Sequence, residues 1–423
     1  MMHEAILDAR ESRFKYIQSV ILKQHVSVIL VKANIPGLEK NIIEAHLLVR
    51  IFSKVILKEF KIISHETHTT CDGDYIIHTI KEDDSIGIKK KLIKIESEHP
   101  LGRLIDLDLY VGEAYAVSRV SLSLTPRPCY LCAQDARICS KNQTHTEKEL
   151  ITYVKSSYHQ FMNQHILNVI NQSMMLELNL EDKFGLVTPT SSGSHKDMSY
   201  SLMLKAKDAI LPFFLQMFDL GFYVDDLDQA FQKSRLIGMI AEEKMRQATD
   251  QVNCYKGLIF ILGITLVACG HALKQKNEID TVFGYVSHMT RDITSDYSKK
   301  MHTFGEIAYQ KYQMKGARGE AISGLPSVKF GIHFLENHEL SDTNLRVLLK
   351  EIALQIEDTV LLKRSRSMEF YHQVKLQLKK TDVTDSVSLK KFNQFCISNN
   401  LSFGGAADLL VTSLFLNQLK SFI

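Results

Sequence analysis

The apolar residues of this chain keep two different rhythms, and the change between them limits the fold more than any other feature. Up to about residue 147, β-branched runs with strand character are interleaved with helical segments; beyond it the 3.6-residue repeat dominates and alternation fades. Residues 6–24 carry apolar side chains at helical spacing, and Val26–Ala33 then reads as a strand ending at the turn signal Ile35-Pro-Gly37. A helix from about Glu39 to Phe60 follows, with strand-like runs near Ile62, Ile76 and Ile105–Tyr110 and another helix at Ile86–Glu96. The pattern predicts an α+β domain over residues 1–160, then a larger all-α domain over residues 161–423. The boundary falls inside or just after a helix at 147–162, and Lys379–Lys391 reads as a polar loop.

A chain of 423 residues is long enough for two cores, and 45% hydrophobic with 23% charged residues is the composition of a globular protein. A formal charge of +3 is too small for a nucleic-acid coat or a membrane-surface binder, so any anionic ligand must be held locally. The N-terminus lacks the basic-then-apolar layout of a secretory signal, and the longest apolar stretch, Leu258–Cys269, falls short of a membrane span. Seven cysteines without an export signal argue against a disulfide framework. The expectation is a cytoplasmic protein with neither nucleic acid nor membrane as partner.

In the first half, His99-Pro-Leu-Gly-Arg-Leu-Ile-Asp-Leu-Asp108 is the most informative segment. On a strand, Ile105, Leu107 and Leu109 point one way and Asp106 and Asp108 the other. Two neighbouring carboxylates repel, and a divalent cation such as Mg²⁺ relieves the repulsion while bridging to substrate phosphates. A half-exposed strand with an acidic outer face would show the same pattern. Upstream, Gly102 permits close backbone approach, and Arg103 has the fork geometry for a phosphate. Cys129, Cys132, Cys139 and His145 make up a tetrahedral donor set for structural Zn²⁺; a reduced cysteine-rich loop without metal is the alternative.

These segments, with Asn34-Ile-Pro-Gly37, Lys40, Ser118-Arg119 and Arg127, resemble the citrate lyase holo-acyl-carrier-protein synthase family over roughly residues 8–160. That family is also called apo-citrate lyase phosphoribosyl-dephospho-CoA transferase. The resemblance implies a nucleotidyltransferase-like domain that moves a phosphoribosyl-dephospho-CoA unit onto a serine of the citrate lyase acyl carrier protein, the γ subunit, with release of pyrophosphate. Asp106 and Asp108 would hold Mg²⁺, with His99 and Arg103 beside them at the catalytic centre.

In the second half, small polar residues and Gly193 precede His195, Lys196 and Asp197 at what reads as a helix start, a setting that suits phosphate. Asn253-Cys-Tyr-Lys-Gly257 opens the apolar helix, and Lys315-Gly-Ala-Arg-Gly-Glu320 sets Arg318 and Glu320 beside flexible backbone. Asp358, and Asp408 after Gly404-Gly405, are further carboxylates for a shared Mg²⁺. Each alone has an ordinary reading as a capped turn or charged surface. Together with Gly185-Leu-Val187, Asp358-Thr359 and Ala407-Asp-Leu-Leu410, they resemble the triphosphoribosyl-dephospho-CoA synthase family over about residues 163–420.

That second resemblance implies that ATP and 3′-dephospho-CoA are substrates: the ribose C1 of ATP is joined to a ribose hydroxyl of dephospho-CoA, adenine leaves and the triphosphate is kept. Lys196, Asn253, Lys256, Gly257, Arg318, Gly404 and Gly405 would bind substrate. Asp197, Asp358 and Asp408 would serve Mg²⁺ or act as base, and His195 or Glu320 would transfer the proton. The chain departs from that family in places: Phe184 and Phe403 stand where proline is usual, Cys254-Tyr255 replaces threonine-histidine, and Val360 and Ser365 replace asparagine and glycine. Three readings follow: a fused enzyme that makes and attaches the prosthetic group, a chain in which only the N-terminal transferase is active, and a non-enzymatic chaperone of the carrier protein.

Overall fold

The computed structural model describes residues 2–81, 84–296 and 303–423. The chain divides into two compact units, Met1–Gln164 with Ser421–Ile423, and His165–Lys420.

The first unit is α+β. Its elements are α1 (Met2–Gln24), β1 (Ser27–Ala33), α2 (Ile43–Glu59), β2 (Ile62–His68), β3 (Tyr75–Ile80), α3 (Ser85–Glu98), β4 (Ile105–Val111), β5 (Tyr115–Val117) and α4 (Ala136–Lys141), with the start of α5 (Glu147–Asn179). The strands form one sheet in the order β2-β3-β1-β4-β5, all pairs antiparallel. The central strand β1 reads as a continuous apolar run because both of its faces are covered. On one face Ile17, Val20 and Ile21 of α1 pack against Val28, Leu30, Tyr75 and Ile77. On the other, Ser53 of α2 bonds His78, the cross-strand neighbour of Ile29, at 3.1 Å.

The second unit is all-α. After α5 come α6 (Tyr200–Tyr223), α7 (Leu227–Ala248), α8 (Lys256–Lys274), α9 (Val282–Thr290), α10 (Phe304–Tyr312), α11 (Gly316–Ile322), α12 (Pro326–Asn337), α13 (Asp342–Gln355), α14 (Thr359–Ser365), α15 (Met368–Lys380), α16 (Ser386–Ser398) and α17 (Gly404–Phe422). Helices α6 and α8 touch through glycine: a Cβ on Gly221 would lie 1.9 Å from the Val267 carbonyl oxygen, and one on Gly270 2.2 Å from that of Phe218.

Several expectations are corrected. The apolar helix α8 runs 19 residues, longer than the stretch Leu258–Cys269. It is the one helix among the described residues long and apolar enough to cross a membrane, and 83% of its apolar window is buried in the bundle. Helix α5 continues well past residue 162. Residues 379–391 are mostly helical, because Asp385 accepts a hydrogen bond from the Ser388 amide (2.8 Å) and starts α16 while Leu389 and Phe392 bury its inner face. Helix α6 begins only at Tyr200 with Ser199 as its cap, so His195, Lys196 and Asp197 lie in the preceding loop.

Candidate active sites

In the sheet unit, β4 alternates as its sequence requires: Ile105, Leu107 and Leu109 are buried, while Asp106 and Asp108 share the opposite face. Their side chains are 41% and 48% exposed, so both carboxylates are open to a ligand. Arg127 donates to Asp106 Oδ1 (2.7 Å) and to the Ile105 carbonyl (2.8 Å), and also engages buried Glu96. Lys89 of α3 lies 3.7 Å from Asp108 Oδ1 and donates to the Leu107 carbonyl (2.8 Å). Protein crowding, then the neighbouring Asp108 and Glu96 charges, push the Asp106 carboxyl above its usual range against the pull of Arg127 and Lys32. A cation between the two aspartates would remove that penalty, which is the donor chemistry Mg²⁺ requires.

Two upstream residues have other surroundings. His99 caps the end of α3, its Nδ1 accepts from the Leu101 amide (3.1 Å), its ring meets Phe52 edge-on at 4.6 Å, and burial holds its pKa below the usual value. Arg103 lies over the Tyr130 ring at 4.4 Å and donates to the Pro128 carbonyl (3.1 Å from Nε). It thus clamps the base of the cysteine loop.

That loop folds into a closed donor set. Cys129 and Cys132 flank a turn closed by the Cys129 amide on the Gln134 carbonyl (2.7 Å), α4 then carries Cys139, and His145 follows. The four ligand atoms lie within 4.8 Å of one another, with Sγ–Sγ separations of 3.3 Å (Cys139–Cys129) and 4.0 Å (Cys132–Cys139). Tetrahedral Zn²⁺ with bonds near 2.3 Å spaces its sulfurs by about 3.8 Å, and the His145 Nε2 is buried without a hydrogen-bond partner. The residues fit the ion.

In the helical unit, residues from distant positions converge at helix starts. Asp358 caps α14, its Oδ1 accepting from the Val360 (2.8 Å) and Leu361 (3.0 Å) amides. Its Oδ2 is buried with no hydrogen bond of its own, and burial raises its pKa although the Gly405 and Ala406 amides of α17 approach the carboxylate. Asp408, one turn into α17, is crowded in the same way: burial, Asp358 and Glu177 push its pKa well above the usual carboxylate value. Two of the glycines, Gly405 and Gly257, are explained by these acids. A Cβ on Gly405 would stand 3.2 Å from the Asp358 carboxylate, and one on Gly257, at the start of α8, 2.0 Å from Asp408 Oδ2. An orphaned carboxylate oxygen beside a second raised carboxyl is a donor set that suits Mg²⁺.

The remaining residues surround this pair or support it. Asn253 accepts from the Lys256 amide (3.1 Å), and Lys256 Nζ pairs with Glu242 (2.9 Å) while remaining 48% exposed. Arg318 is on α11, whose first residue Gly316 would meet the Thr359 side chain at 2.9 Å if it carried a Cβ. Glu320, raised by burial, accepts from the Ser327 hydroxyl (2.6 Å) at the start of α12. Lys196 and Asp197 are exposed. Arg364 donates to His195 Nδ1 (2.9 Å), so the neutral ring carries its proton on Nε2 and donates to Ser402 Oγ (3.1 Å). Burial, then Arg364, hold His195 down to about 4.

Sequence reasoning missed Glu177, Lys183, Glu96 and Arg364, and gave Arg127 no role beyond its place in the resemblance. Glu177 and Lys183 form a buried pair (2.7 Å), and a lone charge in the apolar run Met174–Leu178 was the available signal. A separate cavity of about 890 Å³, lined by Asp228, His271, Gln275 and Tyr285 among others, contains none of the expected residues.

Each unit thus sets crowded carboxylates beside cationic side chains, an arrangement whose chemistry suits phosphorylated substrates. The model of the ATP:dephospho-CoA triphosphoribosyl transferase family, CitG, matches residues 163–422, and that of apo-citrate lyase phosphoribosyl-dephospho-CoA transferase, CitX, matches residues 1–161. The chain is 31% identical to Protein CitXG of Leuconostoc mesenteroides subsp. cremoris, over 98% of this chain and 96% of that one. It is 29% identical to Protein CitXG of Haemophilus influenzae over 97% and 95%. A 2-(5″-triphosphoribosyl)-3′-dephosphocoenzyme-A synthase of Haemophilus ducreyi is 31% identical over 67% of this chain and 98% of its own length. The chain therefore belongs to the triphosphoribosyl transferase family and to the fused proteins that join it to the citrate lyase transferase. It is a bifunctional transferase of citrate lyase prosthetic-group biosynthesis.

Proposed function

We propose that the helical unit makes triphosphoribosyl-dephospho-CoA and that the nucleotidyltransferase-like sheet unit, residues 1–160, attaches it to the carrier protein. The observation that carries this reading is the Asp358–Asp408 pair, two crowded carboxylates at the starts of α14 and α17 with Gly257 and Gly405 leaving room for them. Mg²⁺ held there would neutralise the triphosphate of ATP. Lys256, Arg318 and Lys196 add positive charge around it, and the glycine-bearing helix starts offer amides to its oxygens. A ribose hydroxyl of dephospho-CoA then forms a bond to C1 of the ATP ribose as the bond from C1 to adenine breaks. Glu320, with its raised pKa, is suited to exchange the proton between hydroxyl and adenine. His195, engaged at both ring nitrogens, positions the loop that carries Lys196 and Asp197.

In the sheet unit, the carrier serine hydroxyl attacks the α-phosphate of the precursor and pyrophosphate leaves. Asp106 and Asp108 would hold Mg²⁺, which when bound would supply screening of charge on the attacked phosphate and the leaving group. His99 and Arg103 act as positioning residues. Zn²⁺ in the Cys129, Cys132, Cys139 and His145 set would fix the loop that carries Arg127 and Tyr130, and so the orientation of Asp106. Both steps draw on nucleotides of the cytoplasm, where we place the protein.

The test separates the two units. Lys256→Ala should lower adenine release from ATP at least about tenfold and leave attachment of ready-made precursor intact, while Asp106→Asn and Asp108→Asn should cut attachment by about 10²-fold or more and spare adenine release. If each variant impairs both steps equally, the division of labour is wrong.

A further inference from the structure

We infer that Arg10, Arg13, Lys32 and Lys40 form a pyrophosphate-binding subsite beside Asp106, placed to receive the two phosphates that leave during carrier attachment. The inference rests on the placement of that reaction at Asp106 and Asp108, and it gives a role to residues that none of the catalytic groups above includes.

The geometry begins in the sheet register. Lys32 on β1 stands directly opposite Asp106 on β4, and directly opposed residues share a face with Cβ atoms about 5 Å apart. The same end of the sheet receives the turn before β3, where Asp72 is fully buried. Asp72 accepts from Arg13 (2.9 Å) and from both Nε and Nη2 of Arg10 (3.2 Å each), and Lys32 lies 3.3 Å away. Arg13 is further fixed over the Tyr75 ring at 5.3 Å. Lys40 joins from the loop after β1: the turn bearing Asp72 packs against it, so that a Cβ on Gly73 would stand 3.3 Å from the Lys40 carbonyl oxygen, and its ammonium donates to the Ile35 carbonyl.

The charge count sets this cluster apart from an ordinary ion-pair network. Three cationic side chains, Arg10, Arg13 and Lys32, contact one buried carboxylate, and Lys40 is attracted to it from further off, with Glu147 adding a weaker attraction. Burial, then repulsion from Lys32 and Arg10, depresses the Lys40 ammonium to about 8 against the attraction of Asp72 and Glu147, and the contacts above leave more cationic groups than carboxylates in the cluster. Asp106 attracts Lys32 but corrects the deficit only in part, because Arg127 also engages it. An oxyanion with several negative oxygens would supply the missing charge, and the leaving group of the neighbouring reaction is such an anion. Lys32 and Asp106 side by side would let one pyrophosphate bind the cationic cluster while it also reaches a cation that Asp106 and Asp108 would hold.

The test uses the full chain. With ready-made precursor and apo carrier protein, pyrophosphate should inhibit attachment competitively, and Lys40→Met and Arg10→Gln should each raise its inhibition constant about tenfold, the loss expected for one charge-assisted hydrogen bond. Adenine release should not change. A second measurement needs no variant: at pH 8 without Mg²⁺, acylation of wild-type lysines mapped by mass spectrometry should show Lys40 reacting readily and shielded several-fold by pyrophosphate, but not by chloride of equal ionic strength. An unshielded Lys40, or wild-type inhibition constants in both variants, would overturn the subsite. If Asp106→Asn abolishes attachment while Lys40 goes unshielded, the subsite fails and the metal reading stands. If pyrophosphate shields Lys40 but Asp106→Asn attaches normally, the subsite stands and the metal reading fails.

Discussion

Adding one methyl group at Gly257 gives a sharp test of the helical site. Its Cβ would lie 2.0 Å from Asp408 Oδ2 and 3.1 Å from Cγ, whereas ordinary contact begins at 3.4 Å, so the carboxylate must retreat by about 1.4 Å. The obstacle is the far end of a side chain, so the fold should survive; alanine also favours helix over glycine by up to about 1 kcal/mol. Gly257→Ala should therefore melt at or slightly above the wild-type temperature. A group misplaced by about 1 Å costs about 10²-fold in rate, so adenine release should fall by about that factor. Gly405→Ala, whose Cβ would stand 3.2 Å from the Asp358 carboxylate, should show a milder loss. Gly238→Ala, whose Cβ would meet only the Met217 methyl at 3.6 Å and an Ile259 methyl, should match the wild type within about twofold. The assay is chromatographic measurement of adenine formed from ATP, Mg²⁺ and dephospho-CoA. Wild-type turnover by Gly257→Ala, or equal losses in all three variants, would refute the assignment of Asp408.

Protein purified without chelator should contain about one Zn²⁺ per chain, and Cys132→Ser should lose most of it together with at least about tenfold of carrier attachment; a metal-free protein whose folding ignores the substitution would remove zinc from the account. His195 provides a pH test. Its folded value of about 4 lies below the usual 6.5, so the unfolded chain takes up the proton first, and the contribution present above 6.5 is lost as pH falls toward 4. Relative to wild type, His195→Gln should gain up to about 2 kcal/mol of unfolding free energy between pH 7 and pH 5 by urea titration; a difference that does not move with pH would show that the ring is not held neutral.

The features legible in the sequence are those set by short-range rules. Alternation along Ile105–Val111 placed Asp106 and Asp108 on one face, and the spacing of Cys129, Cys132, Cys139 and His145 anticipated a closed donor set, because both depend on few intervening residues. Roles that depend on long-range partners were not legible. Arg103 has the right chemistry for a phosphate, yet Pro128 and Tyr130 engage it, and His195 has the right chemistry for proton transfer, yet Arg364 and Ser402 occupy both its nitrogens. Neither partner can be inferred from the local segment.

The departures from the family pattern show the same limit from the other side. Phe184 has φ +58°, which proline, confined near −65°, cannot adopt, so this backbone would not accept the proline that the resemblance leads one to expect. Its ring meets Phe403, the second site where proline is usual, at 6.0 Å, and Phe392 at 5.6 Å. The two replacements therefore belong to one aromatic cluster, which joins the loop before His195 to the start of α17. Gly185 follows Phe184 and Gly404 follows Phe403, so the cluster adjoins both the polar loop and the helix that carries Asp408. Read singly, each phenylalanine marks a departure from the resemblance; read as a contacting pair, they tie these two segments together in this chain by aromatic packing.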